Sequence, residues 1–183
     1  SLRFRASGST YMSRTFGAGN RKTWTYSFWV KRGAISAANG LLTVAQDVNN
    51  FTLLRFGPGT VDKIEFYTVT TGGIDYSEET VAVFRDPTAW LHIVYSVDTT
   101  QATAANRVRI YVNGVQQATT QSYGQIPQNT DTWVSSANAH NIGRNIDSGA
   151  IFDGYLSRIC FVDGQALTPS SFGYLNTEIN EWV

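Results

Sequence analysis

The chain has 183 residues, 42% hydrophobic and 13% aromatic, and only 15% are charged, against about 25% in an average domain. Fourteen basic residues balance fourteen acidic ones, which argues against wholesale nucleic-acid binding, and no apolar stretch is long enough to insert across a membrane. The one cysteine, Cys160, leaves no internal disulfide framework and no thiolate zinc cluster, and the N-terminus lacks the charged-then-apolar order of a signal peptide.

The length fits a single domain, residues 1–183, able to bury roughly two-thirds of its unfolded surface. The polar remainder is Thr, Ser, Asn, Gln and Gly, a composition of sheets and turns rather than helices. Thr23 to Val30 is β-branched and aromatic with period two, placing Trp24, Tyr26 and Phe28 on one face. Leu41 to Val44 and Phe51 to Phe56 are the next predicted strands, separated by the turn Gln46-Asp47-Val48-Asn49-Asn50. Gly57-Pro58-Gly59 stops the second run, and Thr71-Gly72-Gly73 ends a further strand over Lys63 to Val69.

Trp90 to Val97 alternates cleanly, with Leu91, Ile93, Tyr95 and Val97 on one face and Trp90, His92 and Val94 on the other. Arg107 to Val112 alternates too, with Val108, Ile110 and Val112 pointing inward. Asn113-Gly114 and the run Val115 to Thr120 then make a hairpin, because a type I′ turn needs positive φ at both central positions. Tyr155 to Val162 is the last long strand. Cys160, in Ile159-Cys160-Phe161-Val162, is expected to be a buried small hydrophobe. Thr168-Pro169-Ser170-Ser171-Phe172 reads as one helical turn with Thr168 at the N-cap. Nine to twelve short strands with turns between them predict an all-β, two-sheet antiparallel sandwich.

Charge is uneven along the chain. Arg3, Arg5, Arg14, Arg21, Lys22, Lys31 and Arg32 all precede the first acid, Asp47. They either pair with acids elsewhere or form a basic face that docks on an acidic neighbour.

Four segments, in order, resemble the laminin G-like, concanavalin A-like lectin/glucanase superfamily. They are Tyr26-Ser27-Phe28-Trp29-Val30-Lys31, Trp90-Leu91-His92-Ile93-Val94, Arg109-Ile110-Tyr111-Val112-Asn113-Gly114, and Phe152-Asp153-Gly154-Tyr155-Leu156 through Ala166-Leu167-Thr168. The resemblance implies a concanavalin A-like jelly roll. Ser1-Leu2-Arg3-Phe4, Ser13-Arg14-Thr15, Gly19 to Thr25 and Phe161 to Pro169 further resemble lectin-like domains of bacteriophage virion appendages, tail or head fibres among them. That narrower resemblance implies an extracellular, particle-associated virion protein, and the missing catalytic carboxylate spacing described below makes it non-catalytic. Its implied partners are other virion structural proteins, host-surface glycan and further copies of itself, since fibres are usually symmetric oligomers. A purely structural capsid or tail decoration protein is the alternative, and a glycoside hydrolase a remote one.

Glycosidases of this fold resemble one another in a Glu-x-Asp-x-x-Glu or Glu-x-Asp-x-Glu strand, whose alternation puts the catalytic carboxylates on one face. That spacing is missing: Glu78 and Glu79 are adjacent, and Asp62 and Glu65 are three apart. His92 is expected to be a satisfied structural histidine beside Trp90, and His140 to lie in a polar loop. Glycan binding needs an aromatic platform with polar partners. Trp133, Tyr123, Asn138, His140 and Asn141 are the candidates. Calcium, a hard cation, is held at loop rims in related lectin-like domains, which makes Asp47, Asn49 and Asn50, or Asn145 and Asp147, its possible ligands here.

Overall fold

A computed structural model describes residues 1–35, 39–57, 62–70, 72–146 and 150–183. Pro58, Gly59, Thr71 and Asp147, which entered the turn and calcium expectations, lie outside them. The chain opens with β1 (Leu2–Phe4), β2 (Met12–Thr15), β3 (Thr23–Arg32), β4 (Asn39–Asp47) and β5 (Asn50–Phe56). It continues with β6 (Ile64–Thr70), β7 (Ile74–Thr80), β8 (Leu91–Asp98), β9 (Val108–Val112) and β10 (Val115–Gln116). The last strands are β11 (Thr119–Thr120), β12 (Ala139–Ile142), β13 (Gly154–Asp163), β14 (Leu175–Asn176) and β15 (Glu181–Trp182).

Among the described residues these strands make two antiparallel sheets, ordered β1-β13-β3-β8-β9-β10 and β11-β7-β6-β5-β4-β12-β2, and the small hairpin β14-β15. The sheets face each other as a two-layer sandwich around one core. Alternation decides what lies between them. On β3 the even residues Trp24, Tyr26, Phe28 and Val30 point inward and meet Ile93, Tyr95 and Val97 of β8, Val108, Ile110 and Val112 of β9, and Leu54, Phe56, Ile64 and Phe66 of the opposite sheet. Removing one of these aromatic rings costs about 3–5 kcal/mol.

Two polar groups of the core are anchored, whereas the Tyr26 hydroxyl has no hydrogen-bond partner among the described residues. The Trp24 indole N–H donates to Thr132 Oγ1 at 3.0 Å, and the Tyr95 hydroxyl to the Glu65 carbonyl at 3.2 Å. Arg32, at the end of β3, is buried against the Phe56 ring and pairs with buried Asp62 at 2.7 Å. Arg85 takes the other Asp62 oxygen at 3.1 Å.

The Asn113-Gly114 turn has φ of 48° and 80°, as a type I′ hairpin requires. Residues 169–171 form a 3-10 turn with Pro169 first; Thr168 stands at its N-cap, though its hydroxyl pairs with Ser170 Oγ rather than with the backbone. Arg3 pairs with Asp153 and Lys22 approaches Asp131, so part of the basic N-terminal third is neutralised by distant acids. Cys160 corrects its expectation. It is exposed, because a bulge in β13 between Ser157 and Cys160 reverses the strand's alternation.

Candidate functional site

While even residues of β3 build the core, Thr25, Ser27 and Trp29 point out of the sandwich. Their register partners on β8 are Ser96, Val94 and His92. This outer face is covered by the C-terminal segment. Thr25 Oγ1 donates to the Gln165 carbonyl at 2.7 Å and accepts from the Leu167 N–H at 2.7 Å, which starts the strap across β3. The β14-β15 hairpin then brings Trp182 over His92.

His92 is 1% exposed and fully committed. Its ring lies nearly coplanar with that of Trp182, edge to edge, with centroids 5.8 Å apart and planes at 13°, and is 5.2 Å from the Trp29 ring. Trp182 Nε1–H donates to His92 Nδ1 at 2.7 Å. An indole N–H has no acceptor lone pair, so Nδ1 is the unprotonated nitrogen and Nε2 carries the hydrogen. Nε2–H therefore donates to Ser27 Oγ at 2.8 Å. Burial, and secondarily the positive charge of Arg158, push the imidazole pKa down to about 4. A serine beside a histidine resembles a nucleophile and base, but this tautomer is the reverse of the one that could take the Ser27 proton.

Beside this pair of rings runs a groove. One section, about 500 Å³, is lined by Trp29, Trp90, Trp182, Ser157, Arg158 and Glu181. The adjoining section, about 490 Å³, shares the three indoles and Glu181 and adds Asn113 and Asn180. Trp90 is 37% exposed. Asn113 is held in place because its Oδ1 accepts from the His92 N–H and its own N–H donates to the His92 carbonyl, both at 2.8 Å. Three apolar ring systems, a carboxylate, two amides and a guanidinium thus meet in one concave surface.

The predicted binding residues lie elsewhere, and the structure does not unite them. Trp133 is 6% exposed; its indole N–H donates to the Val69 carbonyl at 2.8 Å and Arg21 covers its ring at 4.6 Å. It closes one end of the core and offers no platform, so the expectation of an exposed Trp133 fails. His140 is not in a loop but in β12, buried, accepting from the Ser135 N–H at Nε2 and donating from Nδ1 to the Asn138 carbonyl. Asn138 is half-buried and bonded to Ser136 Oγ, and Asn141 is half-buried in β12 between β2 and β4. Tyr123 is 49% exposed and rests on Tyr67 of β6, 5.5 Å between centroids. Three strand steps separate β6 from β12, about 14 Å at ordinary spacing, so Tyr123 does not share a site with the β12 residues.

Asp47 turns its carboxylate to the Asn49 N–H at 2.8 Å and to the Asn50 amide at 2.9 and 3.0 Å. The three residues close the β4-β5 turn with donors, an arrangement that presents N–H groups to the carboxylate rather than a cation. Asn145 is buried, its Oδ1 accepting from the Ile146 N–H. Among the described residues no three His, Cys, Asp or Glu side chains gather as metal ligands would.

One carboxylate relationship was invisible to spacing along a single strand. Glu65 and Glu79 are register partners on β6 and β7. Each is matched by a cation, Arg55 at 2.6 Å and Lys63 at 3.0 Å, and both carboxylates are largely buried. Burial raises the Glu65 pKa, Arg55 lowers it, and the Glu79 charge adds to the rise. The pair is a four-charge cluster rather than an open acid and nucleophile.

The groove residues carried a partial signal. Trp29 and Trp90 fall on the faces opposite the core residues in their own strands; nothing local marks Trp182.

A family model described as the concanavalin A-like lectin/glucanases superfamily matches residues 6–171. No curated protein matches the sequence. Solved structures do match in fold. Domain 4 of an extracellular arabinanase from Geobacillus stearothermophilus, in complex with arabinotriose, superposes with a TM-score of 0.62 at 20% identity, over 85% of this chain and 68% of that one. The CBM40 of a Ruminococcus gnavus sialidase gives 0.58 at 14% identity, over 89% and 96%. Mouse laminin alpha1 domains LG4-5 give 0.60 at 13% identity, over 92% and 43%.

Proposed function

The chain belongs to the concanavalin A-like lectin/glucanases superfamily, and from that membership we propose that it is a non-catalytic lectin-like domain that binds a saccharide in the tryptophan-lined groove. The observation that carries this reading is the convergence of Trp29, Trp90 and Trp182 with Glu181 and Asn113. Sugars present apolar C–H faces that stack on indoles, and hydroxyls that need fixed acceptors and donors. The arabinanase domain with arabinotriose and the sialidase module bound to α2,3-sialyllactose lend the same fold to saccharide binding. The reversed His92 tautomer and the ion-paired Glu65 and Glu79 support the absence of hydrolytic chemistry.

The segments resembling phage appendage proteins extend the proposal. The domain belongs on a virion, outside the cell, as part of a homo-oligomeric fibre that meets host-surface glycan. Attachment to neighbouring virion subunits is supported by β2, a sheet-edge strand whose four residues are all exposed beside exposed Tyr11 and Phe16. An edge strand with open backbone groups is a ready docking surface.

The test is a glycan array probed with the purified domain, in calcium and in chelator, beside Trp90→Ala. Binding lost in the variant supports the groove as the site. No binding by folded protein in its native oligomeric state would leave the attachment role alone, and binding insensitive to Trp90→Ala would move the site to another face.

A further inference from the structure

Arg158 reaches the groove through an irregularity in β13. The strand is in register with β3 at Ser157, opposite Trp29, and again at Cys160, opposite Ser27. Three steps on β13 answer two on β3, so β13 carries one extra residue. Arg158 takes up the difference in the left-handed region, at φ 47°. Ile159 packs against the core cluster that holds Phe28, while Arg158 and Cys160 are exposed. Holding a residue other than glycine in that region costs about 1–3 kcal/mol. Bulges re-aim side chains beside functional sites, and this one sends a guanidinium to the section of the groove lined by three indoles.

Among the described residues no carboxylate forms an ion pair with Arg158, and Glu181, which lines the same section, is not its partner. The positive charge is felt at neighbouring His92, where it is the second cause, after burial, of the lowered imidazole pKa. A cation without an ion-pair partner among the described residues, displayed at backbone cost beside a stacking platform, has a defined chemical complement.

We propose that the groove selects saccharides carrying an anionic group, a carboxylate or a sulfate, which pairs with Arg158 while the sugar ring stacks on the indoles. This rests on the reading of the groove as a saccharide site. The planar guanidinium fork matches the two oxygens of such groups, and Glu181 is left to accept from hydroxyls.

The experiment uses the whole chain and an array of oligosaccharides in matched sets: a neutral core, the same core with a uronic or sialic acid, and the same core sulfated. Titration calorimetry follows on the sets that bind. The acidic member is expected to bind at least about tenfold more tightly than its neutral core, with the advantage shrinking as salt rises. Arg158→Asn is the diagnostic variant, because asparagine tolerates the left-handed region while removing the charge. It should erase the acidic preference, so that the acidic and neutral members of a set bind the variant within about twofold of each other. The carboxylated and sulfated arms separate the two anion sources. Neutral cores binding as tightly as acidic ones, or a preference that survives Arg158→Asn, overturns the inference while leaving the groove a saccharide site. An array without hits, or hits indifferent to Trp90→Ala, overturns the groove reading itself.

Discussion

Trp182 and His92 form one unit: the indole N–H of Trp182 donates to His92 Nδ1 at 2.7 Å while the two rings lie nearly parallel. This edge-to-edge contact joins the C-terminal strap to the first sheet, and its hydrogen bond fixes the histidine's tautomer.

Acid should break this unit. The folded His92 pKa, about 4, lies below the ordinary histidine value of 6.5, so the unfolded chain takes up the proton first. The stabilisation is whole above about pH 6.5 and is lost as pH falls toward 4, up to about 3 kcal/mol. Buried His140, lowered chiefly by desolvation, acts with the same sign. Urea denaturation at pH 7 and pH 4 should show the loss, and His92→Gln should flatten part of the slope between them. An unchanged slope in that variant would sink the assignment.

Trp182→Phe keeps an aromatic ring and removes the donor, leaving Nδ1 of a buried imidazole unpaired, at a cost of about 1–3 kcal/mol. Trp182→Ala loses the packing of the indole as well and should cost more, about 3–5 kcal/mol. Limited proteolysis should cut the alanine variant within residues 165–183 before any other site. Equal resistance of wild type and variant would mean that the strap is held by other contacts.

Gly114 serves two purposes. Its φ of 80° closes the β9-β10 hairpin, and a Cβ added there would overlap the Trp182 indole. Gly114→Ala should therefore destabilise by about 1–3 kcal/mol through strain and overpacking. It should also weaken saccharide binding, because the displaced indole is a groove wall. A stability loss with unaltered binding would separate the turn from the site.

Asp62 is buried between Arg32 and Arg85, at 2.7 and 3.1 Å. Asp62→Ala leaves the buried Arg32 charge uncompensated, at about 3–5 kcal/mol. Arg85→Ala should cost far less, because that side chain is more than half exposed. Comparing the two denaturation midpoints tests whether the buried partner dominates.

Strand positions were readable because alternation is a local property. Trp24, Tyr26 and Phe28 announced the core face of β3, and Asn113-Gly114 announced its turn. Trp133 misled because its polar neighbours resemble a loop, whereas buried Thr132 accepts the Trp24 indole N–H and the Trp133 indole N–H donates to the Val69 carbonyl. Those partners are 108 and 64 residues away, beyond any local pattern. Cys160 misled because a one-residue bulge inverts a periodicity that looks continuous in sequence. The groove was legible only by halves. Trp29 and Trp90 were recognisably off the core face, yet their meeting with Trp182 depends on a strap closing the sheet from the far end of the chain.

The distribution of the five tryptophans has an optical consequence. Trp24 and Trp133 are buried and hydrogen-bonded, whereas Trp29, Trp90 and Trp182 line the groove. Emission from the second group senses solvent at the groove, and emission from the first is shielded from it. A saccharide seated in the groove, as proposed, is therefore expected to change the intensity and colour of the protein's own fluorescence while the core signal stays constant, giving an unlabelled reporter of binding with an internal reference.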